Sequence, residues 1–163
     1  MNPNLRLALF QPDIPQNTGA MLRLGACLDV AVDVIGPTGF VFGDRRLKRA
    51  GMDYAAEMDL EQHDSWEKFL AVRAGLRLLL MTTKGDTAYT DIAFRLGDVI
   101  IMGSESAGAP DYVHAAADAC LVIPMASRMR SLNVAQAAAM VLGEALRQLD
   151  TSLPAARNLE HTV

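Results

Sequence analysis

Five short, nearly continuous apolar runs recur along the chain, each separated from the next by a longer amphipathic or polar stretch. They are Leu5–Phe10, Ala31–Ile35, Arg77–Thr82, Asp98–Met102 and Ala119–Ile123. A strand with one wet face alternates apolar and polar residues, whereas a strand covered on both faces does not. These runs therefore predict a mostly parallel sheet with helices on both faces, an α/β fold.

The helical patterns between the runs agree. Asn17–Leu28 reads as a helix with Asn17 as its N-cap. Asp44–Ala50 (DRRLKRA) reads as one or two basic turns, and Gly36-Pro37 ends the second strand. Asp64 and Glu67 have capping-box spacing and open a helix to about Ala74. The longest helix covers Leu132–Leu149, where Leu132, Ala135, Ala139, Leu142, Leu146 and Leu149 keep a helical period. Past Asp150 the pattern stops. A single domain over 1–150 with a tail at 151–163 is the expected organisation.

Composition narrows the function. With 163 residues and 51% hydrophobic content the chain has enough material for one real core. Its formal net charge of −4 excludes a broadly basic nucleic-acid binder, so any RNA contact must use a local patch. The cluster Arg45, Arg46, Lys48, Arg49 is such a patch, although a cluster of this kind is ordinarily a solvated face. Cys27 and Cys120 form no paired motif and read as buried thiols of a reducing compartment. No apolar stretch is long enough to cross a bilayer, and a soluble cytoplasmic protein is expected. His63, His114 and His161 lack metal-ligand spacing, so a metal centre is not expected.

In an open parallel sheet, ligands bind beyond the carboxyl ends of the strands. Three segments of small and polar residues, the first two glycine-bearing, follow the last three runs: Thr82–Asp86, Gly103–Pro110 and Pro124–Asn133. Familiar nucleotide signatures fail there. Gly103 and Gly108 have P-loop spacing, but Ala109-Pro110 replaces the Lys-Ser/Thr that holds phosphate and Mg²⁺. No G-x-G-x-x-G follows the first strand; that turn is instead stiffened by Pro12 and Pro15, and its Gly19 suits close approach to another backbone. Ser131 has no base visible in the sequence. Taken singly, Asn133 reads as an N-cap, Glu105 as a solvated loop carboxylate and Arg23 as a surface charge.

Three segments in order resemble the motifs of the SPOUT (TrmH/SpoU-like) RNA 2′-O-methyltransferases. They are Asn17–Arg23 (NTGAMLR), Ile101–Pro110 (IMGSESAGAP), and Ile123-Pro124-Met125 followed by Arg130–Ala137 (RSLNVAQA). The stretch Asp44–Tyr54 resembles the small TrmL branch, the tRNA (cytidine(34)/uridine-2′-O)-methyltransferases. Ser104, Ala109 and Leu132 depart from the residues common there.

The resemblance implies a SPOUT fold with a C-terminal trefoil knot and a homodimer. It implies S-adenosylmethionine as methyl donor, bound by Met81, Thr82, Met102, Gly103, Glu105, Ile123, Met125, Ser131 and Leu132. It implies Arg23 from the other subunit, with Ser131, Asn133 and Glu105, as the catalytic set. The substrate implied is the ribose 2′-OH of the wobble nucleotide, with Arg45, Arg46, Lys48 and Arg49 on the anticodon stem-loop. Alternatives remain: the same chemistry at another tRNA position or on rRNA, a catalytically silent RNA binder, or a small nucleotide-binding domain.

Overall fold

Among the described residues seven strands, β1 (Arg6–Phe10), β2 (Ala31–Ile35), β3 (Leu60–His63), β4 (Leu78–Met81), β5 (Thr87–Ala88), β6 (Val99–Met102) and β7 (Ala119–Val122), lie side by side in the order β3-β2-β1-β6-β4-β7-β5, and every neighbouring pair is parallel. This computed structural model describes residues 5–43, 45–50 and 52–149. In chain order the elements are β1 (Arg6–Phe10), α1 (Pro15–Leu28), β2 (Ala31–Ile35), α2 (Arg45–Ala50), a 3-10 turn (Met52–Glu57), β3 (Leu60–His63) and α3 (Trp66–Val72). There follow β4 (Leu78–Met81), β5 (Thr87–Ala88), β6 (Val99–Met102), α4 (Asp111–Ala116), β7 (Ala119–Val122) and α5 (Val134–Gln148).

The continuous apolar strands feed two cores at once. Leu7 and Leu9 of β1, Leu79 and Met81 of β4, and Ile100 and Met102 of β6 pack under α1 and α5. Their neighbours Ala8, Phe10, Leu78, Leu80, Val99 and Ile101 pack on the opposite face with Trp66 and Phe69 of α3 and Val113 of α4. Period-two geometry forces this split, so each strand must be apolar at every position. From α5 the residues Ala138, Val141, Leu142, Ala145 and Leu146 are buried. Each of the two leucines contributes about 1.5–3 kcal/mol by leaving water.

Four expectations are corrected. Helix α1 opens at Pro15, not Asn17, with Ile14 as a cap that makes no side-chain bond. Proline at the first turn has its φ preset for helix and lacks an N–H that would go unpaired. Helix α3 is capped by Ser65, whose hydroxyl accepts from Lys68 N–H, while Asp64 pairs with the Lys68 ammonium instead. Cys27 is exposed and Cys120 only partly buried. The buried stripe of α1 runs through Thr18, Met21, Leu22 and Gly25, and Cys27 falls off it. The sheet also holds two strands beyond the five expected, β3 and β5, which are short and weakly apolar. The proposed tail at 151–163 lies outside the described residues, as does Asp44.

Gly19 lets α1 and α2 touch. A Cβ built there would stand 2.3 Å from Ala50 Cβ and 2.8 Å from its carbonyl carbon. Among the described residues no helix is long and apolar enough to cross a membrane.

A buried ion cluster ties the first half of the sheet together. Asp33 is fully buried on β2 and receives paired N–H donors from both Arg6 and Arg73, plus His63 Nε2 at 3.0 Å. Burial alone would raise the Asp33 pKa; the bonds from Arg73, Arg6 and His63 outweigh it and bring it down to about 2. Asp33, Glu61 and His63 place their ligand atoms within 4.8 Å of one another. Two guanidinium groups already neutralise that carboxylate set, since Arg73 also bonds Glu61 and Arg6 bonds Asp59.

Candidate functional site

Because all strands run parallel, their carboxyl ends share one rim. Loops leaving β4, β6 and β7 there enclose a cavity of about 140 Å³. Its wall includes Met81, Thr82, Met102, Gly103, Ile123, Met125, Ser131 and Leu132. The structure thus brings eight of the nine residues expected at the donor site into one space. Glu105 is the exception and stands outside the lining.

Among the described residues the wall carries no charged side chain. Apolar methionine, isoleucine and leucine side chains alternate with the hydroxyls of Thr82, Thr83 and Ser131. Thr82 is fixed in turn: its Oγ1 accepts from Lys84 N–H and lies 3.0 Å from His114 Nε2. Gly103 shows how the loop closes. A Cβ there would lie 2.7 Å from the Gly108 carbonyl carbon, so main chain crosses main chain. The crossing is locked by Ser104 N–H to Gly108 O at 3.0 Å and Gly108 N–H to Ser104 O at 2.9 Å. Gly108 itself has φ +65°, which favours glycine.

Glu105 occupies the outer side of this loop. Its Oε2 accepts from Asp13 N–H at 2.9 Å, and the Ser106 hydroxyl donates to Asp13 Oδ2. Burial, and next the adjoining Asp13 carboxyl, push the Glu105 pKa up. The hydrogen bonds from Glu105 and Ser106 push Asp13 down. The bond from Asp13 N–H to Glu105 and the bond from the Ser106 hydroxyl to Asp13 together clamp the loop after β1 to the loop after β6. Asp13 was not legible as a site residue; an Asp beside a proline is ordinarily a turn residue.

The other expected residues are placed as follows. Asn133 caps α5, its Oδ1 accepting from Ala135 and Gln136 N–H, while its Nδ2 donates to Asn17 Oδ1 at 3.0 Å. The side chain expected to cap α1 therefore joins α1 to the start of α5. Arg23 is exposed on α1, is not among the cavity residues, and holds its Cζ 5.3 Å from the ring centroid of Tyr54. Helix α2 buries Leu47 and exposes Arg45, Arg46, Lys48 and Arg49. Val134 and Ala137 lie within the third motif segment but were not expected at the donor site, and they line the cavity from the start of α5.

Comparison with known proteins decides the family. The model of the SpoU rRNA Methylase family matches residues 4–143. The chain belongs to that family. Among curated relatives, a tRNA (cytidine(34)-2′-O)-methyltransferase of Beijerinckia indica is 57% identical over 145 residues, covering 88% of this chain and 91% of that protein. A structure solved in work on 2-OH methylation of C/U34 on tRNA aligns with TM-score 0.86 and 41% identity, over 91% of this chain and 98% of that one. An AdoMet-bound rRNA methyltransferase from Sinorhizobium meliloti aligns with TM-score 0.80 and 28% identity, over 90% of this chain and 57% of the other. The parallel sheet of this SpoU-family chain, with helices on both faces, is the α/β architecture expected from its sequence.

Proposed function

We propose that this SpoU-family chain is an S-adenosylmethionine-dependent tRNA 2′-O-methyltransferase that modifies the wobble nucleotide, position 34, as cytidine or modified uridine. The observation that carries the reading is convergence. Two of the three motif segments line one cavity, and the third is bonded to it through Asn17 and Asn133. The names of the similar proteins support the substrate.

The cavity suits an adenosyl group. Apolar side chains offer a slot for a purine, and the glycine crossing leaves peptide groups to read its edges. The cavity-lining residues of the expected set would hold the donor, Ser131 and Leu132 from the α5 side and Met81, Met102 and Gly103 from the sheet. When bound, S-adenosylmethionine supplies a methyl group already activated for transfer.

What remains for the protein is alignment of the ribose and stabilisation of the oxygen losing its proton. Arg23, brought by the partner subunit of a homodimer, does this as a cation. Arginine keeps its charge in proteins, and the Tyr54 ring face attracts a cation. Its position outside its own cavity supports the cross-subunit arrangement. Ser131 contacts the ribose, Asn133 fixes the loop before α5, and Glu105 with Asp13 holds the loop after β6. Helix α2 follows the phosphates of the anticodon stem-loop. The trefoil knot, a single domain over 1–150 and a cytoplasmic location complete the reading.

Labelled methyl donor is incubated with anticodon stem-loops carrying either a 2′-hydroxyl or a 2′-deoxy sugar at position 34. Label enters only the first. Equal labelling of both removes 2′-O chemistry at that nucleotide, and no donor binding by calorimetry returns the chain to the silent or nucleotide-binding alternatives.

A further inference from the structure

We propose that a second cavity, at the carboxyl ends of β2 and β3, receives a nucleobase of the RNA next to the methylated nucleotide. The inference rests on the RNA-methylating reading above. The cavity measures about 220 Å³, and its wall includes Val34, Pro37, Thr38, Phe42, Gln62 and Asp64. It opens on the same rim as the donor cavity, because every strand of the sheet points the same way. It also lies on the same face: Val34 shares a core with Met81 and Met102. Only β1 separates β2 from β6, so those two strands are roughly 10 Å apart.

The chemistry of the wall selects the occupant. Phe42 is half-buried, with its ring stacked near Phe40 at 6.5 Å, and Val41 beside it is 79% exposed. An aromatic face accepts any base by stacking. Gln62 is exposed on edge strand β3, and its carboxamide has no hydrogen-bond partner among the described residues. A carboxamide offers one donor and one acceptor together, the pairing a base edge requires. The other polar groups are already engaged: Thr38 Oγ1 donates to Phe40 O at 2.6 Å, His63 bonds Asp33, and Asp64 pairs with Lys68.

A phosphate or an acidic peptide does not suit this wall, which among the described residues holds no lysine or arginine. Positive charge instead begins outside it, three residues beyond Phe42, where α2 exposes Arg45, Arg46, Lys48 and Arg49. A pocket walled by an aromatic ring, its one carboxylate Asp64 already paired with Lys68, lies beside a cationic helix; that is the division of labour expected for nucleic acid, with backbone charge met on the helix and the base in the pocket.

The test uses the full-length protein and Phe42→Leu and Gln62→Ala variants. Phe42→Leu keeps an apolar side chain but loses the ring; Gln62→Ala changes an exposed strand position. Methylation is followed on anticodon stem-loops with single abasic sites at each nucleotide except the target. Phe42→Leu should raise KM for intact RNA roughly tenfold, the scale of one base stack removed, and Gln62→Ala should raise it roughly fivefold, the scale of one hydrogen bond, with kcat and donor affinity unchanged. One abasic site should raise the wild-type KM by a similar factor and have little further effect in Phe42→Leu. Wild-type KM in both variants overturns the proposal while leaving the methyltransferase reading intact. So does a raised KM that disappears at high enzyme concentration with weakened self-association, which assigns the cavity to a second copy of the chain. A wild-type protein that methylates no RNA defeats the parent reading and this one with it.

Discussion

Gly103→Ala places one methyl group where two loop backbones cross. The added Cβ would stand 2.7 Å from the Gly108 carbonyl carbon and 3.0 Å from Ala109 N. Carbon atoms rest at about 3.5–4.0 Å, so the loop must retreat by roughly 0.8 Å. Neither neighbour is a side-chain end that can swing aside. The retreat pulls on both hydrogen bonds between Ser104 and Gly108, at 3.0 and 2.9 Å. Each such bond contributes about 1 kcal/mol net, and overpacking costs about 1–3 kcal/mol where it cannot relax. Partial relaxation leaves about 2–3 kcal/mol against the closed loop. If the donor needs that loop closed, its Kd rises roughly 30- to 150-fold. The strands beneath are untouched, so thermal unfolding should move far less than affinity. Calorimetric titration with S-adenosylmethionine, run beside a melting curve, reads both quantities. Wild-type affinity in a folded Gly103→Ala protein would refute the claim that this crossing forms the donor wall.

Four further perturbations probe other parts of the molecule. Gly19→Ala drives a Cβ to 2.3 Å from Ala50 Cβ and should cost about 1–3 kcal/mol in chemical denaturation; an unshifted midpoint contradicts the α1–α2 contact. The Asp33 pKa lies at about 2 against an ordinary 3.8, so its stabilisation is complete above pH 4 and is lost as pH falls through that interval, about 2 kcal/mol in all. In Asp33→Asn that acid-side slope should be shallower, and an identical slope assigns acid unfolding to other groups. Arg23→Lys keeps the charge but loses the planar fork, and should lower turnover by on the order of 100-fold while donor binding persists; near-normal turnover removes Arg23 from the mechanism. Replacing Arg45, Arg46, Lys48 and Arg49 together should weaken tRNA binding and flatten its salt dependence by roughly one unit of slope for each phosphate no longer neutralised; an unchanged slope rejects that interface.

The sequence made the central sheet legible because burial on both faces removes alternation, and Leu78–Met81 and Val99–Met102 have no polar position to confuse the reading. Strand β3 was not legible for the opposite reason. It sits at an edge, and its Leu60-Glu61-Gln62-His63 mixes ion-pair partners with an exposed amide. The glycine loop after β6 pointed to the donor cavity because a chain crossing excludes a Cβ at Gly103 and a positive φ favours glycine at Gly108. Side-chain partnerships across the fold were not legible. Nothing local says that Asn17 meets Asn133 rather than capping its own helix, or that Asp13 meets Glu105 across 92 positions. Capping was likewise misplaced by one residue at Asp64, since Ser65 offers the same chemistry one step on. Tyr54 over Arg23 depends on how α1 packs against the turn after α2, a tertiary fact.

Mapping the modified nucleotide after reaction with bulk tRNA tests wobble-ribose methylation most directly. Unmodified tRNA is incubated with enzyme and donor, digested, and read fragment by fragment by mass spectrometry. One added methyl is expected on the ribose at position 34 of a subset of tRNAs, formed on the order of 100-fold more slowly when Arg23 is replaced by lysine. A methyl group on a base, or on a ribose elsewhere in the tRNA, contradicts that assignment.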